Sequence, residues 1–233
     1  MNWLWQDFLS LFLARSCALC QRSTARVWCP SCEAQVLSCG LSPELAQGEW
    51  SAELPLLSWG RYQDSLKRSI AALKYHNQTQ LAVPLGRWMA EVWHQTRNDR
   101  PPQPARLTVV PIPLHDRKLK QRGFNQAALL AHSFCRYARL PFLDHGLVRI
   151  KATEAQFGLS KNDRSLNLTD AFQLGKPLKT LTPLTQAKPS ILLLDDIFTT
   201  GATARSAAQI LRQADMPVYG MVVLARSGQA RTP

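Results

Sequence analysis

The chain has 233 residues with 45% hydrophobic content, enough to bury a sizeable core, which excludes wholesale disorder. Lys and Arg number 28 against 16 acids, and the formal charge of +12 favours an anionic partner: a phosphate ligand, nucleic acid or an acidic surface. No apolar run reaches the roughly 18 residues that a membrane-spanning helix requires, so integral membrane insertion is not expected.

The first predicted element is a short helix over 1–14, with Trp3, Leu4, Trp5, Phe8, Leu9 and Phe12 supplying apolar surface. It carries Asp7 and lacks a basic stretch ahead of its apolar residues, so a secretory signal is not expected. Such a helix either docks on the main domain or serves a membrane surface or partner.

Four cysteines then follow as Cys17-x2-Cys20-x8-Cys29-x2-Cys32. Two residues between cysteines let both thiolates of a tight turn point the same way, and two such turns complete an all-sulfur tetrahedral shell suited to structural Zn2+. A disulfide reading lacks an export signal. A redox reading does not suit a duplicated CxxC lying outside any strand–helix unit. Cys39 is either a bystander or a substitute ligand, and Cys135 falls in an apolar helical stretch as a core residue.

Residues 40–55, with Gly40, Pro43, Gly48 and Pro55, read as a linker or irregular arm. A strand over 56–62 precedes helices over 65–75 and 81–95. The first of these carries Leu66, Ile70 and Leu73 on one side and Lys67, Arg68 and Lys74 elsewhere. Pro101, Pro102 and Pro104 mark a boundary or surface loop. Beyond it the pattern alternates: strand 107–112, helix 124–138, strand 147–150, strand 191–194, helix 202–214 and strand 218–224. Continuous apolar strands alternating with helices predict an α/β fold with a parallel sheet flanked by helices.

Strand 107–112 leads into Arg117, Lys118, Lys120 and Arg122, then Gly123-Phe124-Asn125-Gln126. Four cations at the carboxyl end of a buried strand either balance a diphosphate or form a solvated face. A polar string from Thr153 through Gln156, Gly158, Arg164 and Asn167 to Phe172 reads as a structural linker or as a loop able to close over a charged substrate.

The most informative segment begins at Ile191. Aliphatic residues run into Asp195 and Asp196, then Ile197 and Phe198, and then Thr199-Thr200-Gly201-Ala202-Thr203. A hydroxyl-rich turn opening a helix offers unpaired backbone N–H groups and a positive helix end, a cradle for phosphate. Gly201 allows close backbone approach. Carboxylates repel phosphate, but they accept hydrogen bonds from a vicinal diol or help to hold a divalent cation. Together these residues read as a ribose 5-phosphate site.

This segment resembles the phosphoribosyl diphosphate (PRPP) signature of type I phosphoribosyltransferases. The resemblance implies that Asp195 and Asp196 contact the ribose 2′- and 3′-hydroxyls, and that Thr199 to Thr203 wrap the 5′-phosphate, with Mg2+ accompanying PRPP. With the four-cysteine module, Pro111-x-Pro113, Arg122-Gly-Phe-Asn-Gln126 and the polar string in the same order, the chain over roughly 15–227 resembles the ComF/GntX family. That resemblance implies a type I phosphoribosyltransferase-like fold with a small N-terminal zinc module. It also implies a cytoplasmic role in competence or in the use of imported single-stranded DNA, with single-stranded DNA and DNA-processing proteins as partners. An active transferase acting on a nucleobase or amine is the other reading, although no residue set specifies an acceptor. The expected division is helix and zinc knuckle over 1–40, linker and hood over 41–106, and the phosphoribosyltransferase-like core over 107–233. The seven tryptophans all precede residue 94, and they serve either as core and interface residues or as platforms for unpaired bases.

Overall fold

The computed structural model describes residues 16–47, 54–150, 171–181 and 188–227. The predicted helix over 1–14 and the polar string over 153–167 lie outside these residues, as do Trp3, Trp5 and Trp50.

The described chain opens with the cysteine-bearing turns and α1 (Pro30–Leu37), then the short α2 (Pro43–Ala46). Next come β1 (Leu56–Arg61), α3 (Asp64–Tyr75), α4 (Ala82–Gln95), β2 (Leu107–Pro111), α5 (Asp116–Arg122) and α6 (Gln126–Ala138). The remainder is β3 (Leu147–Arg149), β4 (Phe172–Leu174), α7 (Lys176–Leu181), β5 (Ser190–Phe198), α8 (Ala202–Gln213) and β6 (Val218–Arg226).

Four strands form a parallel sheet in the order β1-β6-β5-β2. Each interior strand needs cover on both faces, which explains why Ile191 to Leu194 are all apolar and all fully buried. Alternation divides them. Leu192 and Leu194 pack on one side with residues of α3, α4, α6 and the cysteine module. Ile191 and Leu193 pack on the other with residues of α7, α8 and the β3–β4 pair. The predicted α/β architecture, a parallel sheet flanked by helices, is therefore observed. Its edge strand β1 comes from the 41–106 segment, so the sheet begins before residue 107.

Two of the expected strands differ from the sequence reading. β5 extends to Phe198, four residues past the predicted end, because β6 continues alongside it and pairs Asp195 with Val223 and Phe198 with Arg226. The acids thus lie within the strand rather than after it. β3 is not part of the main sheet: it pairs antiparallel with β4, and its three residues have one buried position, Leu147.

The cysteine module is fixed to the sheet by tryptophans. Trp28, beside Cys29, stacks on Trp88 of α4 at 5.2 Å and 7° between planes, and Trp88 stacks on Trp59 of β1 at 5.2 Å and 14°. Each such pair adds about 0.5–1.5 kcal/mol beyond its area burial. Trp28, Trp59, Trp88 and Trp93 are all buried, so these four serve the core rather than a base-stacking surface. The proline-rich segment is tied down as well: the Arg100 guanidinium lies 3.4 Å from the centroid of the Trp93 ring, and the Tyr219 hydroxyl donates to the Pro101 carbonyl at 2.6 Å.

Candidate functional site: a charged cavity at the strand ends

A cavity of about 270 Å³ opens where β2 and β5 end, lined among others by Lys74, Gln126, Arg149, Asp195, Asp196, Thr199 and Thr203. Carboxyl ends of parallel strands are where open α/β sheets receive ligands.

The bend after β5 depends on Gly201. Its φ of 74° is left-handed, and a Cβ there would come within 2.6 Å of the Phe198 ring and 2.8 Å of the Arg205 guanidinium. α8 starts immediately afterwards; Gly201 offers it no side-chain cap, the Ala202 N–H reaches the Thr200 hydroxyl at 3.5 Å, and a helix start of this kind supplies first-turn N–H donors for an anion. Thr199 and Thr200 are exposed, Ala202 is half-buried, and Thr203 reaches the cavity wall.

Asp195 and Asp196, adjacent on an extended strand, leave toward opposite faces of the sheet. Asp196 is buried, forms an ion pair with Lys74 from the end of α3, and accepts a hydrogen bond at Oδ1 from Gln126 Nε2 at 3.1 Å. Gln126 in turn accepts from the Arg122 guanidinium, which lies 5.4 Å from the centroid of the Tyr75 ring. On the other face, Asp195 Oδ1 accepts from the Asp196 backbone N–H at 2.8 Å. Burial, and then the neighbouring Asp196 charge, raise the Asp195 carboxyl well above its ordinary 3.8, against the pull of Lys74. Arg149, from the end of β3, lines the same cavity as Asp195. Burial lowers its pKa, while the Asp195 charge works to hold its proton.

The segment after β2 builds one wall. His115 caps α5 by accepting from the Arg117 N–H at 3.2 Å, and Gly123, at φ 83°, ends that helix. Asn125 caps α6 through the Ala127 N–H while donating to the Ile112 carbonyl at 3.0 Å, which sets Gln126 against Asp196. The cations that precede this turn do not share one environment. Arg117, Lys118 and Lys120 are exposed and absent from the cavity lining, whereas Arg122 reaches Gln126. Among the described residues, Lys74 and Arg149 are the cations in the wall, and neither stands out in the sequence. Lys74 showed only its position off the apolar stripe of α3, and Arg149 showed no signal.

The second cluster lies apart from the cavity. The sulfurs of Cys17, Cys20, Cys29 and Cys32 lie within 4.8 Å of one another, and this group can hold a metal ion. Two thiolates about 2.3 Å from a tetrahedral zinc stand about 3.8 Å apart, and the Cys20 and Cys29 sulfurs are 3.7 Å apart. Burial, then Cys20, Cys29 and Cys17, push the Cys32 thiol up to about 12. The donor set and spacing fit zinc. Cys39 is turned away, with the Gln35 and Gln63 carbonyls as its partners.

No protein-family model matches the chain. It is 30% identical over 216 residues to the DNA utilization protein YhgH of Salmonella typhi, covering 90% of this chain and 89% of that protein. It is 31% identical over 171 residues to competence protein F of Haemophilus influenzae, covering 70% and 69% of the two chains. Among solved structures, adenine phosphoribosyltransferase from Thermoanaerobacter pseudethanolicus aligns over 66% of this chain and 83% of its own, with 11% identity and a TM-score of 0.34. On the strength of the near-full-length sequence identity, the chain belongs to the ComF/GntX family of competence and DNA-utilisation proteins.

Proposed function

We propose that this protein binds PRPP, or a ribose 5-phosphate ligand, together with Mg2+, and acts in the cytoplasm in competence or in the utilisation of imported single-stranded DNA. The observation that carries the reading is the joining of two features in one cavity: a carboxylate pair at the end of β5 and an uncapped helix start at Gly201. In this reading the α8 N-terminus and the Thr199, Thr200 and Thr203 hydroxyls take the 5′-phosphate. Asp195 accepts from the ribose hydroxyls, and Asp196, held in place by Lys74 and Gln126, presents a fixed negative charge beside it. Zn2+, when held by Cys17, Cys20, Cys29 and Cys32, supplies a structural cross-link, and the Trp28 stack carries that rigidity into α4 and β1.

The DNA role is supported by the names of the relatives and by the +12 charge. No described helix is long and apolar enough to cross a membrane.

Equilibrium dialysis with PRPP and Mg2+ tests the cavity. Binding is expected for the native chain and lost in Asp195→Ala plus Asp196→Ala, and unaltered binding by that variant removes the ribose assignment. Titration with single-stranded DNA across a salt series tests the second part, and no binding at low salt refutes it. Diphosphate release measured against a panel of nucleobases decides whether binding leads to transfer.

A further inference from the structure

The cations of α5 stand outside the cavity lining, and the sugar-phosphate site gives them no task. In seven residues this helix carries Arg117, Lys118, Lys120 and Arg122 against one acid, Asp116, and Arg117, Lys118 and Lys120 are exposed. Arg122 is the anchored member. Its guanidinium donates to Gln126 and lies 5.4 Å from the centroid of the Tyr75 ring. Lys118 stands one turn before Arg122 on the same stripe of the helix, so positive charge runs back along α5 from Tyr75.

Tyr75, at the end of α3, is 71% exposed, more than any other large apolar side chain among the described residues. Trp28, Trp59, Trp88 and Trp93 are by contrast spent in the core. The preceding residue, Lys74, turns inward to Asp196 and lines the cavity, so the Tyr75 ring stands at the cavity rim. A lone exposed aromatic is ordinary on a protein surface. An open ring held beside a guanidinium, at the end of a row of cations, is the combination that receives unpaired nucleic acid. The ring takes the face of a base, and the cations take the phosphates that link one base to the next. A duplex keeps its base faces in its own stack, so it offers this surface phosphates alone.

We infer that Tyr75 and the α5 cations form a landing surface for single-stranded DNA, with one base stacked on the Tyr75 ring and the backbone following Arg117, Lys118 and Lys120. This rests on the DNA part of the proposed function and deepens it by naming the surface. It is independent of what the cavity binds.

Fluorescence anisotropy of the full chain with labelled oligo-dT, an abasic strand of equal length and a duplex, each across a salt series, tests the surface. The proteins are native, Tyr75→Ala, Tyr75→Phe, a triple variant with Arg117, Lys118 and Lys120 all changed to Gln, and a charge control, Arg136→Gln with Arg139→Gln, at the far end of α6. Tyr75→Ala is expected to weaken oligo-dT about fivefold or more with its salt slope unchanged, whereas Tyr75→Phe retains affinity. Native protein prefers oligo-dT to the abasic strand, and Tyr75→Ala loses that preference and leaves duplex binding unchanged. The triple variant weakens oligo-dT about tenfold or more and lowers the salt slope by about 2, while the charge control stays within about twofold. Circular dichroism confirms the fold of each variant, and the abasic comparison on native protein needs no variant at all. The inference is overturned if Tyr75→Ala binds oligo-dT as native protein does, if native protein does not distinguish oligo-dT from the abasic strand, or if the charge control loses as much affinity as the triple variant. Each of these leaves the DNA role standing. Native protein that binds no oligo-dT at low salt overturns the DNA role together with it.

Discussion

Replacing Lys74 by Met tests how far the ion pair at the end of β5 holds this region together. The Lys74 side chain is 15% exposed and that of Asp196 is 4% exposed, so solvent screens the pair only weakly. Removing the ammonium leaves the carboxylate with Gln126 as its remaining side-chain partner. Breaking a buried pair from one side costs about 3–5 kcal/mol. The residual exposure of Lys74 and the surviving amide bond put the expectation near the lower end, about 3 kcal/mol, or a fall in Tm of about 6–12 °C for a chain of this size. The double variant Lys74→Met with Asp196→Leu should recover to within about 1 kcal/mol of the native protein, since an apolar pair carries no desolvation penalty. Urea unfolding of all four members of the cycle measures the coupling, expected at about 2–3 kcal/mol. If Lys74→Met loses less than about 1 kcal/mol, or if the double variant is no more stable than the worse single variant, the pair does not hold the site as described.

The other predictions concern the bend, the acid pair and the cysteines. Gly201→Ala puts a Cβ at a φ of 74° and within 2.6 Å of Phe198, so calorimetry should show a loss of about 2–4 kcal/mol; an unchanged Tm contradicts the argued backbone requirement. Asp195→Asn addresses a carboxyl raised above 3.8 by burial and by Asp196. The native state keeps that proton to higher pH than the unfolded chain does, so the cost to stability is absent below the ordinary carboxylate range and grows as pH rises through the elevated value. The Asn variant should therefore melt above the native protein at neutral pH, the gap closing as pH falls toward 4; a gap independent of pH contradicts this. Stripping the metal from Cys17, Cys20, Cys29 and Cys32 with a chelator should lower Tm by more than about 10 °C and shift tryptophan emission to the red as Trp28 loses its packing. A metal-free chain with native melting and emission refutes the structural role of the cluster.

What was legible in the sequence was local. The aliphatic run at Ile191, the bend around Gly201 and the paired CxxC turns each declare themselves within a few residues, because strand burial, left-handed backbone and tetrahedral ligation all have short-range signatures. The parallel sheet followed from the same alternation, but its β1 edge, which the sequence reading sets in the linker and hood region, did not. The β3–β4 pair did not, since three residues with a single buried position do not distinguish a sheet strand from a separate hairpin. The cations were harder to place. Arg117, Lys118 and Lys120 follow a buried strand, but the His115 cap starts a helix there and turns them outward. Lys74 and Arg149 reach the cavity wall through the tertiary placement of α3 and β3, across separations that no local pattern records. Gln126 stood within a recognised string, yet its bond to Asp196 spans 70 positions.

The most direct test of the cavity is a crystal of the full chain soaked with ribose 5-phosphate and Mg2+. The sugar hydroxyls are expected within hydrogen-bonding distance of Asp195, with the phosphate on the first-turn N–H groups of α8 beside Gly201. A sugar lodged away from β5, or a phosphate seated on the α5 cations instead, contradicts the account.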